Sequence, residues 1–165
     1  MVQKVIGIAR NGLVVSYFKD GQMAIGTYKA SLSRKDVAEL IEAAKWHQCR
    51  LDLSGKSLPD NYSGLKFEWV LMKNINTDKS TVFDRCTFNG VDLSYAWLFG
   101  NSFRGAVFTD VSFDSANLSH SDFSGAQLHR VSFDETNMFR VKCDRYTGFE
   151  HCNINRAVHL DLVDF

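Results

Sequence analysis

Residues 81–145 constrain the fold more than any other stretch, because they divide without remainder into thirteen units of five. From Thr81 the units read TVFDR, CTFNG, VDLSY, AWLFG, NSFRG, AVFTD, VSFDS, ANLSH, SDFSG, AQLHR, VSFDE, TNMFR and VKCDR. The third residue is large and apolar in twelve of them, from Phe83 to Met138, and Cys143 is the exception. The first residue is small except at Asn101. A period of five fits neither a helix nor a flat strand. It does contain a two-residue step, so positions one and three face the same way in extended chain. Positions four and five are mostly Gly, Ser, Asp, Arg and Asn, which suits a turn. Each unit therefore reads as a short extended edge and a corner. One unit cannot bury its large side chain alone, whereas stacked units can, which is the logic of a solenoid.

The pattern of a small residue, a polar residue, Leu or Phe, then two variable residues resembles the pentapeptide-repeat family, with ANLSH and SDFSG matching closely. The resemblance implies a mainly β protein, a right-handed quadrilateral β-helix with four units per coil. Spacing alone does not distinguish four units from three.

Lys plus Arg equals Asp plus Glu at 19 each, so no global charge points to nucleic acid or an acidic membrane. The balance is uneven: residues 1–50 carry eight basic and four acidic residues, and 51–165 carry eleven and fifteen. No apolar run approaches the ~20 residues of a membrane span, and the first thirteen residues lack the apolar stretch of a signal peptide. Cys49, Cys86, Cys143 and Cys152 read as reduced thiols, three of them inward, in a cytoplasmic protein. The sequons at Asn61 and Asn117 then carry no meaning.

In chain order, 2–9, 13–18 and 23–28 read as a three-stranded meander with Asn11-Gly12 and Asp20-Gly21 between the strands. Ser33 to Asp36 resembles a capping box. Val37, Leu40, Ile41 and Ala44 follow at helical spacing, with Trp46 as a further candidate, so a helix is expected over 34–47. Residues 1–48 form a small ββ/α domain or cap, and 49–165 the solenoid. Over 51–80 the repeat is irregular. Leu53 and Leu58 fit; a slip of two falls at Pro59; Leu65, Val70 and Ile75 then set the inward frame; a slip of three follows at 77–80. That frame turns Glu68 and Lys73 inward, which requires a distorted coil, and Trp69, Leu71 and Met72 outward. After Arg145 the pattern resumes weakly with Phe149, Ile154, Leu160 and Phe165.

No P-loop, dinucleotide fingerprint, zincin motif, EF-hand loop or nucleophile elbow is present, and no histidine has a partner at ligand spacing. No catalytic residue, metal or cofactor is expected, and the chain reads as a non-enzymatic binding module. With four units per coil, the units at Val91, Val111 and Val131 share a face showing Asp92, Tyr95, Asp114, Asp134 and Glu135, with no base. The units at Ala96, Ala116 and Thr136 share the next, showing Trp97, Phe99, His120, Phe139 and Arg140. Interface centres favour such aromatics and arginine.

The family includes DNA mimics that bind DNA gyrase or other DNA-handling enzymes. The resemblance therefore implies a protein partner, such as gyrase or a phage-defence nuclease complex of the CRISPR kind, inhibited by mimicry. It implies no direct contact with nucleic acid or membrane. Four acids over three coils are sparse beside the one charge per ~1.7 Å of duplex DNA. The other class of reading is a scaffold that assembles through its open end. Leu160, Leu162 and Phe165 continue the apolar pattern and mark a homodimer contact at the C-terminal coil.

Overall fold

The computed structural model describes residues 5–8, 15–19, 22–27 and 29–159. The chain winds into a four-sided parallel β-solenoid entered through a short meander and one helix. On the first side, here the strand side, β5 (Lys66–Glu68), β7 (Thr87–Asn89), β8 (Val107–Thr109), β9 (Gln127–His129) and β10 (Gly148–Glu150) pair in parallel. The second side runs through β4 (Arg50–Asp52) and β6 (Val70–Leu71), then through Leu71↔Asp92↔Ser112↔Ser132↔Asn153. The third joins Ser57, Asn76, Trp97, Asn117, Asn137 and Val158, and the fourth joins Asn61, Val82, Ser102, Asp122 and Lys142. Between Val82 and Lys142 every step is 20 residues, so a coil holds four units.

The interior follows from the repeat. Position-three rings stack on the ring of the next coil: Phe67 on Phe88 at 5.0 Å, Phe88 on Phe108 at 4.9 Å, Phe83 on Phe103 at 5.3 Å and Phe103 on Phe123 at 4.9 Å, all near parallel. Neighbouring files meet edge to face, as between Phe103 and Phe108 at 5.8 Å. Such geometries add to area burial because ring edges and faces carry opposite partial charge. Position one is small because it must fit between files. Where it is Ser or Thr it donates to a position-three carbonyl of the preceding coil: Thr81 to Leu58, Ser121 to Leu98 and Thr136 to Phe113, at 2.7–2.8 Å. Cys86 and Cys143 are buried and Cys49 and Cys152 partly so, all unpaired. Burial pushes the Cys86 thiol up to about 12 and the Cys143 thiol up to about 11.

Every fifth residue from Arg85 to Arg140 adopts a left-handed φ of +52° to +70°. Few of these residues are the usual glycine or asparagine. The conformation is held because the corner N–H donates to the next coil, as Arg85 does to the Arg104 carbonyl at 2.9 Å and Tyr95 to Asp114 at 2.9 Å. Gly90 also sits close under a neighbour: a Cβ there would come within 3.3 Å of the Trp69 ring, which would have to shift slightly.

The irregular coil is better formed than the sequence suggested. Glu68 and Lys73 face outward, and Leu71 and Met72 are buried at 7% and 0% exposure, while Trp69 alone of that trio is exposed. Leu65, Val70 and Ile75 occupy position one, and Phe67, Met72 and Thr77 occupy position three. Both positions point inward, so choosing the wrong one shifted the frame by two and turned two slips of one residue into slips of two and three. The real irregularities are one residue fewer between Leu58 and Tyr62 and one more between Thr77 and Phe83. The extra residue explains Asn101. Its buried side chain donates to the Asp78 carbonyl at 2.7 Å and accepts from Thr77 Oγ1 at 2.6 Å, filling the widened corner beneath it.

Strands β1 (Val5–Ile8), β2 (Val15–Lys19) and β3 (Gln22–Gly26) form the antiparallel meander. The two turn dipeptides lie outside the described residues. Strand β3 pairs in parallel with β4, so the meander extends the second side. Helix α1 (Arg34–Trp46) begins at a complete Ser33–Asp36 capping box and buries Val37, Leu40 and Ala44 in the same core as the coils. Trp46 is exposed, because it follows Ala44 by two positions and leaves the buried stripe. In sequence the helix takes the place of the fourth and strand edges of a preceding coil, between Ser31 and β4. At the other end Phe149 and Ile154 take position three but remain 42% and 41% exposed. The expected repeat residues Leu160 and Phe165 lie outside the described residues.

Phe113 is fully buried against Phe133 at 5.4 Å, so Phe113→Ala should cost about 3–5 kcal/mol. Phe99, outside the column, should cost much less when replaced by Ala. Urea midpoints of the two variants check this, and equal shifts would contradict the assignment.

Candidate functional site

The second side carries Asp92, Asp114, Asp134, Glu135 and Tyr95, as the repeat places them. Its acids are occupied. Asp92 accepts from the Ser94 N–H and hydroxyl at 3.1 and 2.6 Å, and Lys73 reaches it at 3.0 Å. Asp114 accepts from the Ser132 hydroxyl at 2.5 Å and the Asp134 N–H at 3.1 Å. Asp134 is gripped by Arg156, whose Nε lies 2.6 Å away and whose second nitrogen also bonds it. The same guanidinium reaches Glu135 at 3.4 Å. The side therefore contains two bases, which corrects the expected base-free face. Lys73 and Arg156 belong to the coils before and after the three units considered from sequence. Tyr95 is exposed at a left-handed corner.

Much of the acid and amide content of the solenoid serves one corner device. A position-two Asp or Asn accepts from the N–H and hydroxyl of a Ser two residues on, as at Asn61/Ser63, Asp92/Ser94, Asn117/Ser119 and Asp122/Ser124. Such side-chain turns mimic a backbone turn.

The third side is different. Trp97, Phe99, His120, Phe139 and Arg140, which the repeat places on this side, are brought together, and His159, from beyond the regular units, completes a ladder. Trp97 lies 6.5 Å from Phe99, Phe99 5.2 Å from His120, His120 5.3 Å from Phe139, and Phe139 5.7 Å from His159. Lys79 lies over the Phe99 ring at 4.8 Å and Arg140 over Phe139 at 5.4 Å. Trp97 is 53% exposed. A shallow groove of about 450 Å³ opens beside Trp97 and Phe99, closed by Asp78, Lys79, Asn117 and Ser119. Phe99 and Phe139 stand at position four and His120 at position five, so their ring contacts form only when coils are stacked in register.

Leu160, Leu162 and Phe165 lie outside the described residues. Among the described residues, no group of three His, Cys, Asp or Glu side chains is placed to hold a metal ion, and no helix is long and apolar enough to cross a membrane.

A four-sided parallel β-solenoid of five-residue edges, with apolar files inside and a single helix at one end, defines a class of repeat architecture. The comparisons agree. Residues 102–139 match the family model for pentapeptide repeats in eight copies, so this stretch of the solenoid carries pentapeptide repeats. HetL, a pentapeptide repeat protein involved in heterocyst differentiation regulation from the cyanobacterium Nostoc sp., has a similar structure. The TM-score is 0.54 at 19% identity over 70% of this chain and 60% of that one, so this chain spans less than two thirds of the length of HetL. Rfr23 from the cyanobacterium Cyanothece matches with a TM-score of 0.43 at 18% identity, over 69% of this chain and 99% of that one. QnrB1, a plasmid-mediated fluoroquinolone resistance protein, matches with a TM-score of 0.39 at 16% identity, over 70% and 69%. No curated protein matches the chain.

The Arg156 hydrogen bonds hold Asp134 below its ordinary value of 3.8. A carboxylate lowered in the folded state stabilises the fold above the ordinary value, and that contribution fades as pH falls through the lowered one. Arg156→Met should therefore return the Asp134 titration toward 3.8, followed by carboxyl-carbon NMR. An Asp134 midpoint that does not move would contradict the pairing.

Proposed function

We propose that this protein is a non-enzymatic protein-binding module that meets its partner with the third side of the solenoid. The observation that carries this reading is the ladder of Trp97, Phe99, His120, Phe139 and His159 with Lys79 and Arg140 laid over its rings. A rigid column of stacked coils holds these groups in place, so little conformational freedom is lost on association. Exposed rings beside cations are the groups most often found at the centre of interfaces.

The narrower reading, inhibition of a DNA-handling enzyme by duplex mimicry, draws on the acidic column of Asp92, Asp114, Asp134 and Glu135. A duplex offers free phosphates at close spacing. Here three of the four carboxylates are tied into corner and inter-coil hydrogen bonds, and Arg156 neutralises part of the charge. The aromatic side is therefore the better candidate.

Proteins captured by the immobilised chain distinguish the two. Capture that is lost with Trp97→Ser/Phe139→Ser and retained with Asp134→Asn/Glu135→Gln supports the aromatic side. The reverse pattern overturns it in favour of mimicry.

A further inference from the structure

The start of the solenoid leaves one strand edge open. In a parallel ladder, alternate residues bond to opposite neighbours. On β5 the Leu65 carbonyl accepts from Thr87 and the Trp69 N–H donates to Asn89, so residues 65, 67 and 69 serve the next coil. Lys66 and Glu68 therefore turn their N–H and C=O groups the other way. Among the described residues none of these four groups has a hydrogen-bond partner, and β5 ends its sheet.

The other three sides of the same coil are covered. The second side is continued by β3 against β4. The third is met by Ser31 against Ser57. On the fourth, Arg34 donates from its guanidinium to the Asn61 and Ser63 carbonyls at 3.2 and 2.8 Å, and its N–H bonds Asp60 at 2.7 Å. Among the described residues, only the strand side lacks a cover. A groove of about 870 Å³ lies there, between β5 and the C-terminal half of α1.

We propose that this groove receives a short acidic β-strand from a partner protein, added to the edge of β5. The groove wants a strand because its open groups are alternating backbone donors and acceptors, which an extended peptide complements. Its wall of Ile41 and Ala44 takes alternate apolar side chains. Its charge selects an acidic strand. Of the acids that line it, Asp92 is paired with Lys73 and Asp110 with Arg130 at 2.6 Å. That leaves Lys45, Arg50 and Lys66 facing Glu68 alone. Arg50 also has a buried Nε without an acceptor. The groove is on the opposite side of the solenoid from the aromatic ladder, so it stands independently of the function proposed above.

A fluorescein-labelled decapeptide of alternating Val and Glu is titrated into the full-length protein by anisotropy. Two controls are the same peptide N-methylated at alternate amides and a version with Lys in place of Glu. The Val/Glu peptide should bind saturably and slow hydrogen exchange at the Lys66 and Glu68 amides. N-methylation should weaken binding by about tenfold or more, the effect of losing edge hydrogen bonds. Lys66→Pro removes an N–H that the ladder does not use and should weaken it similarly. Binding that is unaffected by N-methylation, or that leaves the Lys66 and Glu68 amides unprotected, overturns the strand site. Equal binding of the Lys version overturns the acidic preference. No saturable binding of the Val/Glu peptide overturns the proposal.

Discussion

The molecule depends on the return of a large inward side chain to the same place every coil. Phe83, Phe103 and Phe123 form one such file and Phe67, Phe88 and Phe108 another, with rings 4.9–5.3 Å apart. That separation is close to the spacing of adjacent strands, so the backbone ladder and the ring stack have one repeat distance. Neither would hold alone. Three-residue strands bury too little, and an unladdered chain would not hold the rings in register. The remaining features are consequences. Position one must be small, the corner must turn left-handed, and the polar residues inside must donate along the axis, as Thr81, Ser121 and Thr136 do.

Much of this was legible in the sequence. The thirteen units marked the inward residues, and Ser33, Asp36 and the spacing of Val37, Leu40 and Ala44 marked α1 within a residue at its C-terminal end. The frame over 65–77 was not legible. Leu65, Phe67, Val70, Met72 and Ile75 are all apolar and all inward, and alternation between two inward positions does not say which is which. The left-handed corners at Tyr95, Arg130 and Glu135 were hidden for another reason. Those residue types do not favour that conformation, and inter-coil hydrogen bonds impose it on them.

The candidate site divides in the same way. Trp97, Phe99, Phe139 and Arg140 could be placed on one side by counting units. His120 could be placed there too from its unit ANLSH, but its contacts with the Phe rings form only across coils, and His159 lies beyond the regular units. The acidic side misled in the opposite direction. Composition shows carboxylates and not their partners. Lys73, Arg156 and the serines at 94 and 132 consume the charge that a mimic of DNA would present. The two ends of the solenoid's first coil differ for a simple mechanical cause: one helix replaces two sides, and Arg34 covers only one of the edges this exposes.

The central claim is that a coil contains four units, so that each position-three amide meets a carbonyl 19 residues further on. Through-hydrogen-bond NMR couplings between amide nitrogen and carbonyl carbon read this directly. The structure predicts couplings from Phe103 to Asp122, from Phe113 to Ser132 and from Phe123 to Lys142, each across a contact of 2.8 Å. Couplings from the same amides to carbonyls one unit earlier or later in the chain would contradict it.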